Sequence, residues 1–293
     1  RREDARIYRC DALVSYVDYW LTSEAPEKRK LLGKCWSLTK EALKAFREAG
    51  DAWEYGRTFN QLSSSVLFRF CLEWNFQARE ETIGEAIEHG EQAIKILSTF
   101  GDTHELARAY ARNAFCLGVF DYYFLDIGEK GRENQKAQSY WLKASELSEE
   151  IALLELLYPV FGGKLSIGWG EGTNETLLKL EKALKYARRT KDKLLIGLAL
   201  DWLTYHTAWS GAAIESKDEI EKLRKTVLKY IEDARNQYSV ISFTSPRADN
   251  AWIEKDVDFS IFFGLDFETD VNKKRDLLEK ALRCMSDSLG PIR

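Results

Sequence analysis

The sequence predicts an all-α protein built as a right-handed α-solenoid of about six antiparallel helical hairpins. Three observations predict this fold. Apolar residues recur every three or four positions, as on one face of a helix. Only four prolines occur in 293 residues, and no stretch shows sustained strand alternation. Similar segments recur 51 residues apart, at Ala42, Ala93 and Ala144, which is the signature of stacked repeats.

The breaks between helices fall at Gly-Asp pairs and at polar, glycine-rich segments. They predict helix pairs at residues 6–22 with 27–49, 52–77 with 80–100, 103–126 with 132–150, 151–168 with 174–190, 192–212 with 217–240, and 248–264 with 271–287. The fourth hairpin is shorter, because only 39 residues separate Ala144 from Ala183. The sixth begins irregularly at Phe243, as terminal repeats often do. We expect a single repeat domain over residues 1–293.

Small residues recur at positions where neighbouring helices must approach closely. Three of them precede the alanine of the recurring segment by seven residues: Cys35, Ala86 and Ala137. Residues seven apart lie on one helix face, two turns from each other. Three more take the matching place on the partner helices, five residues after an aspartate: Gly56, Ala107 and Gly197. This spacing predicts close contacts between the two helices of a hairpin.

Two consecutive segments carry a recognisable helix-pair motif. The first reads Gly84-Glu-Ala-Ile-Glu-His-Gly-Glu-Gln-Ala-Ile-Lys-Ile-Leu-Ser-Thr-Phe-Gly-Asp102, and the second reads Glu105-Leu-Ala-Arg-Ala-Tyr-Ala-Arg-Asn-Ala-Phe-Cys-Leu-Gly118. They resemble the second helix of one tetratricopeptide repeat and the first helix of the next. The family's usual period is ~34 residues, so the repeats here are lengthened. The resemblance implies a concave groove that is lined by the first helices and holds an extended peptide.

The resemblance also implies candidate groove residues on three first helices. They are Trp53, Arg57, Asn60 and Gln61 in the second hairpin, His104, Arg108 and Arg112 in the third, and Leu194, Leu198, Asp201 and Trp202 in the fifth. The family's clamp for a peptide C terminus uses asparagines and lysines, and Arg57 and Arg108 stand at the matching places. Two arginines one repeat apart can instead hold carboxylates or phosphates. The alternative, that they are solvated on an exposed helix face, stays open, as does a core role for the aromatic residues.

Motifs for catalysis or metal binding are incomplete. His104 begins a segment similar to a zinc-protease motif, but Arg108 stands where the second histidine ligand is needed. Residues 162–164 suggest a phosphate-binding loop, but Tyr158 replaces its first glycine and Leu165 replaces its Ser or Thr. We therefore expect no enzyme activity, no cofactor and no metal.

The composition indicates which classes of partner and which compartment to expect. Lys and Arg total 43 against 47 for Asp and Glu, a net charge of −4, which argues against nucleic acid as the main partner. The five cysteines include no Cys-x-x-Cys pair, as expected of reduced thiols in a cytoplasmic protein. The sequence shows no signal peptide and no run of 18 apolar residues, so we expect no membrane association.

These observations favour non-catalytic recognition of a protein or peptide, as an interaction scaffold or a regulatory domain. An alternative is a ligand-sensing domain of a signalling NTPase or transcription regulator, with a small-molecule effector in an aromatic pocket. An enzyme built on a helical array is a third interpretation, which nothing in the sequence favours. The chain begins with Arg1 rather than methionine, so we expect it to be part of a larger protein.

Overall fold

The computed structural model describes residues 1–22, 25–73, 75–124, 132–157, 173–210 and 216–241, with four isolated positions near the C terminus. These residues form nine α-helices up to Ser239, and none of them lies in a strand, so the all-α prediction is confirmed. The helices are α1 (Arg2–Leu21), α2 (Ala25–Glu48), α3 (Ala52–Leu72), α4 (Phe76–Leu97), α5 (Thr103–Phe124), α6 (Arg132–Glu155), α7 (Thr173–Thr190), α8 (Lys193–Ser210) and α9 (Lys217–Ser239). The predicted sixth hairpin, 248–264 with 271–287, falls almost wholly outside the described residues.

The chain divides into two compact units, Arg1–Gly170 and Glu171–Arg293. In the first unit, helices α1 to α6 each pack against the next, and α3 also contacts α5. In the second unit, α8 packs against both α7 and α9. Four of the predicted helix pairs are therefore neighbours in space: α1 with α2, α3 with α4, α5 with α6, and α8 with α9. The prediction of one continuous repeat domain stays a prediction.

The same turn joins successive helices in both units. It begins with a residue of positive φ, which is Gly50 at 68°, Gly101 at 70° or Lys191 at 59°. An aspartate follows and accepts a hydrogen bond from the third residue of the next helix: Glu54 N to Asp51 Oδ1 at 3.2 Å, Glu105 N to Asp102 Oδ1 at 3.0 Å, and Leu195 N to Asp192 Oδ1 at 3.2 Å. The left-handed residue ends one helix, and the carboxylate caps the N–H groups that open the next.

Small residues lie where the spacing predicts close helix contacts. A Cβ atom added at Gly56 of α3 would come within 2.9 Å of the Ile96 side chain on α4. One added at Gly197 of α8 would come within 2.2 Å of the Tyr238 ring on α9. The six small residues of the recurring segment are at most 1% exposed: Cys35, Ala42, Ala86, Ala93, Ala137 and Ala144. The period of the sequence therefore encodes helix–helix contacts.

Helix α6 contains a break at Ser148. The backbone there is extended, with φ −163° and ψ 99°. The Ser148 hydroxyl accepts a hydrogen bond from Ile151 N at 3.4 Å, so the serine caps a second helical segment that ends at Glu155. The boundary predicted at residue 151 thus lies within three residues of a real one, although most of the predicted helix 151–168 falls outside the described residues.

Candidate functional site

A polar cavity of about 260 Å³ lies in the first unit, between residues of α1, α2, α3 and α5 and the end of α6. Helix α3 contributes Arg57, Asn60 and Gln61 to its wall, and α5 contributes Arg108 and Arg112. The first helices of three successive hairpins therefore meet at one site.

Alternating arginines and glutamates run along this cavity. Arg9 of α1 forms an ion pair with Glu54, which also accepts a hydrogen bond from Arg57 Nη1 at 3.3 Å. Glu105 then lies between two arginines, with its Oε1 3.5 Å from Arg57 Nε and 2.7 Å from Arg108 Nη1. This row of ion pairs links α1 to α3 and α3 to α5.

Glu155 completes the row from the end of α6. Its Oε1 accepts a hydrogen bond from Arg108 Nε at 2.8 Å, and its Oε2 accepts one from Arg112 Nε at 2.7 Å. Arg112 Nη1 also donates to the Asn60 backbone carbonyl at 3.3 Å. The Glu155 side chain is 6% exposed. The cavity thus already holds one carboxylate by both oxygens, in the bidentate geometry that suits guanidinium groups.

Counted over the described residues alone, the row of ion pairs carries a net charge of +1. Its members are four arginines and three glutamates: Arg9, Arg57, Arg108, Arg112, Glu54, Glu105 and Glu155. Burial lowers the pKa of the Arg9 guanidinium, and the neighbouring Arg57 cation lowers that pKa further. Two cations crowded in a partly desolvated site attract an anion more strongly than the same cations in water.

Asn60 lines the cavity and carries an amide group that has no partner among the described residues. Its side chain is 1% exposed, and within the part of the chain that the structure describes neither Oδ1 nor Nδ2 has a hydrogen-bond partner. The neighbouring Gln61 accepts a hydrogen bond from Arg9 Nε at 3.3 Å through Oε1, whereas its Nε2 has no partner among the described residues. Leaving a buried polar group unsatisfied costs about 1–3 kcal/mol, which a ligand with matching groups recovers.

The structure brings five of the predicted groove residues together at this cavity: Arg57, Asn60, Gln61, Arg108 and Arg112. Trp53 lies beside one of them, with its ring centroid 5.8 Å from the Arg57 guanidinium carbon, and it packs edge-on against Phe100. His104 is exposed in the first turn of α5, where its backbone N–H donates to Asp102 Oδ1 at 2.9 Å.

The remaining predicted residues lie on α8 in the second unit. Asp201 is 2% exposed and accepts a hydrogen bond from the Tyr238 hydroxyl at 2.5 Å. The Trp202 ring lies 6.0 Å from the Tyr205 ring and 6.1 Å from the His206 ring, measured between centroids. Leu194 and Leu198 lie on the same helix, half-buried and buried respectively. The Tyr238–Asp201 pair joins α8 to α9, so a packing role accounts for Asp201.

The glutamates of the cavity were not predicted from the sequence. Glu54 and Glu105 are themselves 51 residues apart, and each precedes its arginine, Arg57 or Arg108, by three positions. The offset that identified the arginines therefore also identifies these partners. Glu155 has no such signal in the sequence, because it lies one residue before the position equivalent to Glu54 and Glu105. It reaches the cavity through the break in α6.

The cysteine at the cavity wall is unsuited to nucleophilic chemistry. Cys35, the cysteine among the described lining residues, is 1% exposed, and burial raises the pKa of its thiol to about 11. A thiol with that pKa stays protonated at neutral pH and is a poor nucleophile. Within the described ranges, no group of three or more His, Cys, Asp or Glu side chains is arranged to hold a metal ion.

No protein-family model matches the chain, and no curated protein matches it significantly. Among the helices that the structure describes, none combines the length and the hydropathy needed to cross a membrane.

Proposed function

We propose that the first unit is a non-catalytic recognition domain that binds a protein or peptide on the surface formed by α1, α3 and α5. One observation carries the proposal: Arg57 and Arg108, one repeat apart, line the same cavity as the unpaired amide of Asn60. Arginines anchor acidic groups through bidentate hydrogen bonds. Arginines in a largely desolvated site are also typical of residues that carry most of a binding energy.

The fold that we infer is a right-handed solenoid of tetratricopeptide-like hairpins with lengthened repeats. The recurrence of the Gly-Asp turn at Gly50 and Gly101 supports it, because the sequence period and the structural period coincide. The contact between α3 and α5 also supports it, since stacked hairpins bring equivalent helices together. The cavity then lies on the first-helix side of the array, where the resemblance to tetratricopeptide repeats implies the groove.

The size of the cavity favours a second candidate, a domain that senses a small anionic molecule. Its volume of about 260 Å³ is close to the lower end of the range for small-molecule sites, roughly 300–1,000 Å³. In a signalling NTPase or a transcription regulator, such a molecule would be the effector that shifts the domain between two states.

A peptide array probed with the wild type and an Arg57→Ala/Arg108→Ala variant tests the proposal. We expect acidic peptides to bind the wild type and to lose about tenfold or more in affinity for the variant, because each charged hydrogen bond contributes about 1.5–3 kcal/mol. Arg47→Ala/Arg188→Ala is the matched control, since both arginines are exposed and neither lines the cavity.

Circular dichroism must first show that the Arg57→Ala/Arg108→Ala variant is folded, because Glu105 loses both arginine partners in it. Equal binding by the two double variants would remove these arginines from the site. A thermal-shift screen against small acids separates the two candidates, because a large shift from a free molecule favours sensing.

A further inference from the structure

We infer that the cavity accepts a carboxylate with an amide group beside it, as in an acidic residue of a partner chain, and that Asn60 recognises the amide. The inference rests on the proposed function and names the chemistry that the site selects. It depends on three features of the site: its net charge, its unpaired amide and its size.

The net charge selects a single negative charge. Within the part of the chain that the structure describes, three carboxylates offset three of the four arginines, which leaves one positive charge in the row of ion pairs. The row has an arginine at each end, Arg9 and Arg112, and each of its three glutamates pairs with two arginines. A carboxylate balances this charge, whereas a phosphate monoester of about −1.5 to −2 leaves uncompensated negative charge in a desolvated site.

The unpaired amide selects a group that both donates and accepts hydrogen bonds. Asn60 offers an acceptor at Oδ1 and two donors at Nδ2, held side by side. Both atoms lack a partner among the described residues although the side chain is almost fully buried. In an extended chain the N–H and the C=O of one residue point to the same side, so the backbone of the acidic residue satisfies both atoms at once. Gln61 Nε2 adds a further unused donor at the cavity wall.

The volume limits the occupant to a small group. About 260 Å³ lies below the range for drug-sized ligands, which is roughly 300–1,000 Å³. An acidic side chain with its own peptide group is small enough for this space. The protein that supplies such a residue leaves most of its chain outside the cavity.

Four small probes test the ligand chemistry on the full chain. They are N-acetyl-glutamate N-methylamide, the neutral N-acetyl-glutamine N-methylamide, butyrate and inorganic phosphate. We expect the blocked glutamate to bind about two- to tenfold more tightly than butyrate, the gain expected from one hydrogen-bonded neutral group. Loss of the charge in the glutamine probe is expected to cost about tenfold or more. Nuclear magnetic resonance titration measures such weak binding directly.

Asn60→Ala is the diagnostic variant, and Asn113→Ala is its matched control. Asn113 is also buried with both amide atoms unpaired among the described residues, but it packs against Gly90 and does not line the cavity. We expect Asn60→Ala to lower the affinity for the blocked glutamate to that for butyrate and to leave butyrate binding unchanged. We expect Asn113→Ala to leave both affinities unchanged. Melting temperatures of both variants show that each is folded.

Three results would overturn the inference: equal binding of the blocked glutamate and butyrate, equal binding of the blocked glutamate by wild type and Asn60→Ala, or tighter binding of phosphate. If peptides on the array depend on Arg57 and Arg108 but not on Asn60, the proposed function stands and this inference fails. A peptide that carries the glutamate between glycines is expected to bind more tightly than the blocked residue. Equal affinities of this peptide and of the blocked residue would overturn the assignment of the ligand to a partner chain.

Discussion

Arg108 and Glu155 join the first turns of α5 to the last turn of α6, with Arg108 Nε donating to Glu155 Oε1 at 2.8 Å. The pair spans 47 residues of sequence and depends on the break at Ser148, which starts the short segment that carries Glu155. Since Glu155 also binds Arg112, a single carboxylate pairs with both arginines at one end of the cavity wall.

Replacing Glu155 with glutamine is expected to destabilise the first unit by about 3 kcal/mol, because removing one partner of a buried ion pair leaves an uncompensated charge. Glutamine keeps the shape of the side chain, so the loss reports on charge rather than on packing. Urea denaturation followed by circular dichroism measures the change in the free energy of unfolding. Glu146→Gln on the exposed face of the same helix is the control, and a loss no larger than its loss would contradict a structural role for the carboxylate.

The helices were predictable because local chemistry specifies their ends. Gly50 and Asp51 supply the left-handed turn and the helix cap that such a helix–turn–helix connection needs. Both residue types are typical of these roles, so the sequence itself indicates the turn. At Lys191 only the aspartate that follows was visible, because lysine gives no sign that its backbone adopts positive φ. The break at Ser148 was predicted only to within three residues, since Ser148 lies in a segment with helical apolar spacing.

Only those residues of the site that recur with the sequence repeat could be predicted from the sequence. Arg57 and Arg108 were identified because they recur at the same offset, and the structure places them at one cavity. Arg9 and Glu155 were not identified, because they reach the cavity through tertiary packing from α1 and α6. No periodicity in the sequence encodes those contacts. The unpaired state of Asn60 is also invisible in the sequence, since it depends on which groups its neighbours present.

Replacing Lys191 with glycine is expected to stabilise the second unit by about 1 kcal/mol, because a non-glycine residue pays roughly that energy for left-handed backbone. Thermal unfolding of the full chain, followed by circular dichroism, measures the gain. Gly101→Ala makes the opposite change at the equivalent turn, where φ is 70°, and is expected to lower the stability by a similar amount. A lower melting temperature for Lys191→Gly would contradict the left-handed backbone conformation assigned to Lys191.

Two buried thiols are expected to make the stability fall at alkaline pH. Burial raises the pKa of Cys35 to about 11 and that of Cys116 to about 12, from an ordinary value of 9.0. Both pKa values are raised in the folded state, so their stabilisation is complete below pH 9 and is lost as the pH rises toward the folded values. Free energies of unfolding measured between pH 8 and pH 11 test this. A Cys35→Ala/Cys116→Ala variant should lose stability less steeply over that range, and an identical slope would contradict the prediction.

Adding one methyl group at Gly197 is expected to cost about 1–3 kcal/mol. The Cβ atom of Gly197→Ala would lie 2.2 Å from the Tyr238 ring, so the ring must move and its 2.5 Å hydrogen bond to Asp201 must lengthen or break. Gly33→Ala is the matched control, because a Cβ atom at Gly33 in α2 meets nothing within 4 Å. Alanine there is expected to stabilise its helix by about 0.5–1 kcal/mol. Chemical denaturation of both variants measures the two changes, and effects of the same sign would mean that α8 and α9 do not meet at Gly197 as the structure shows.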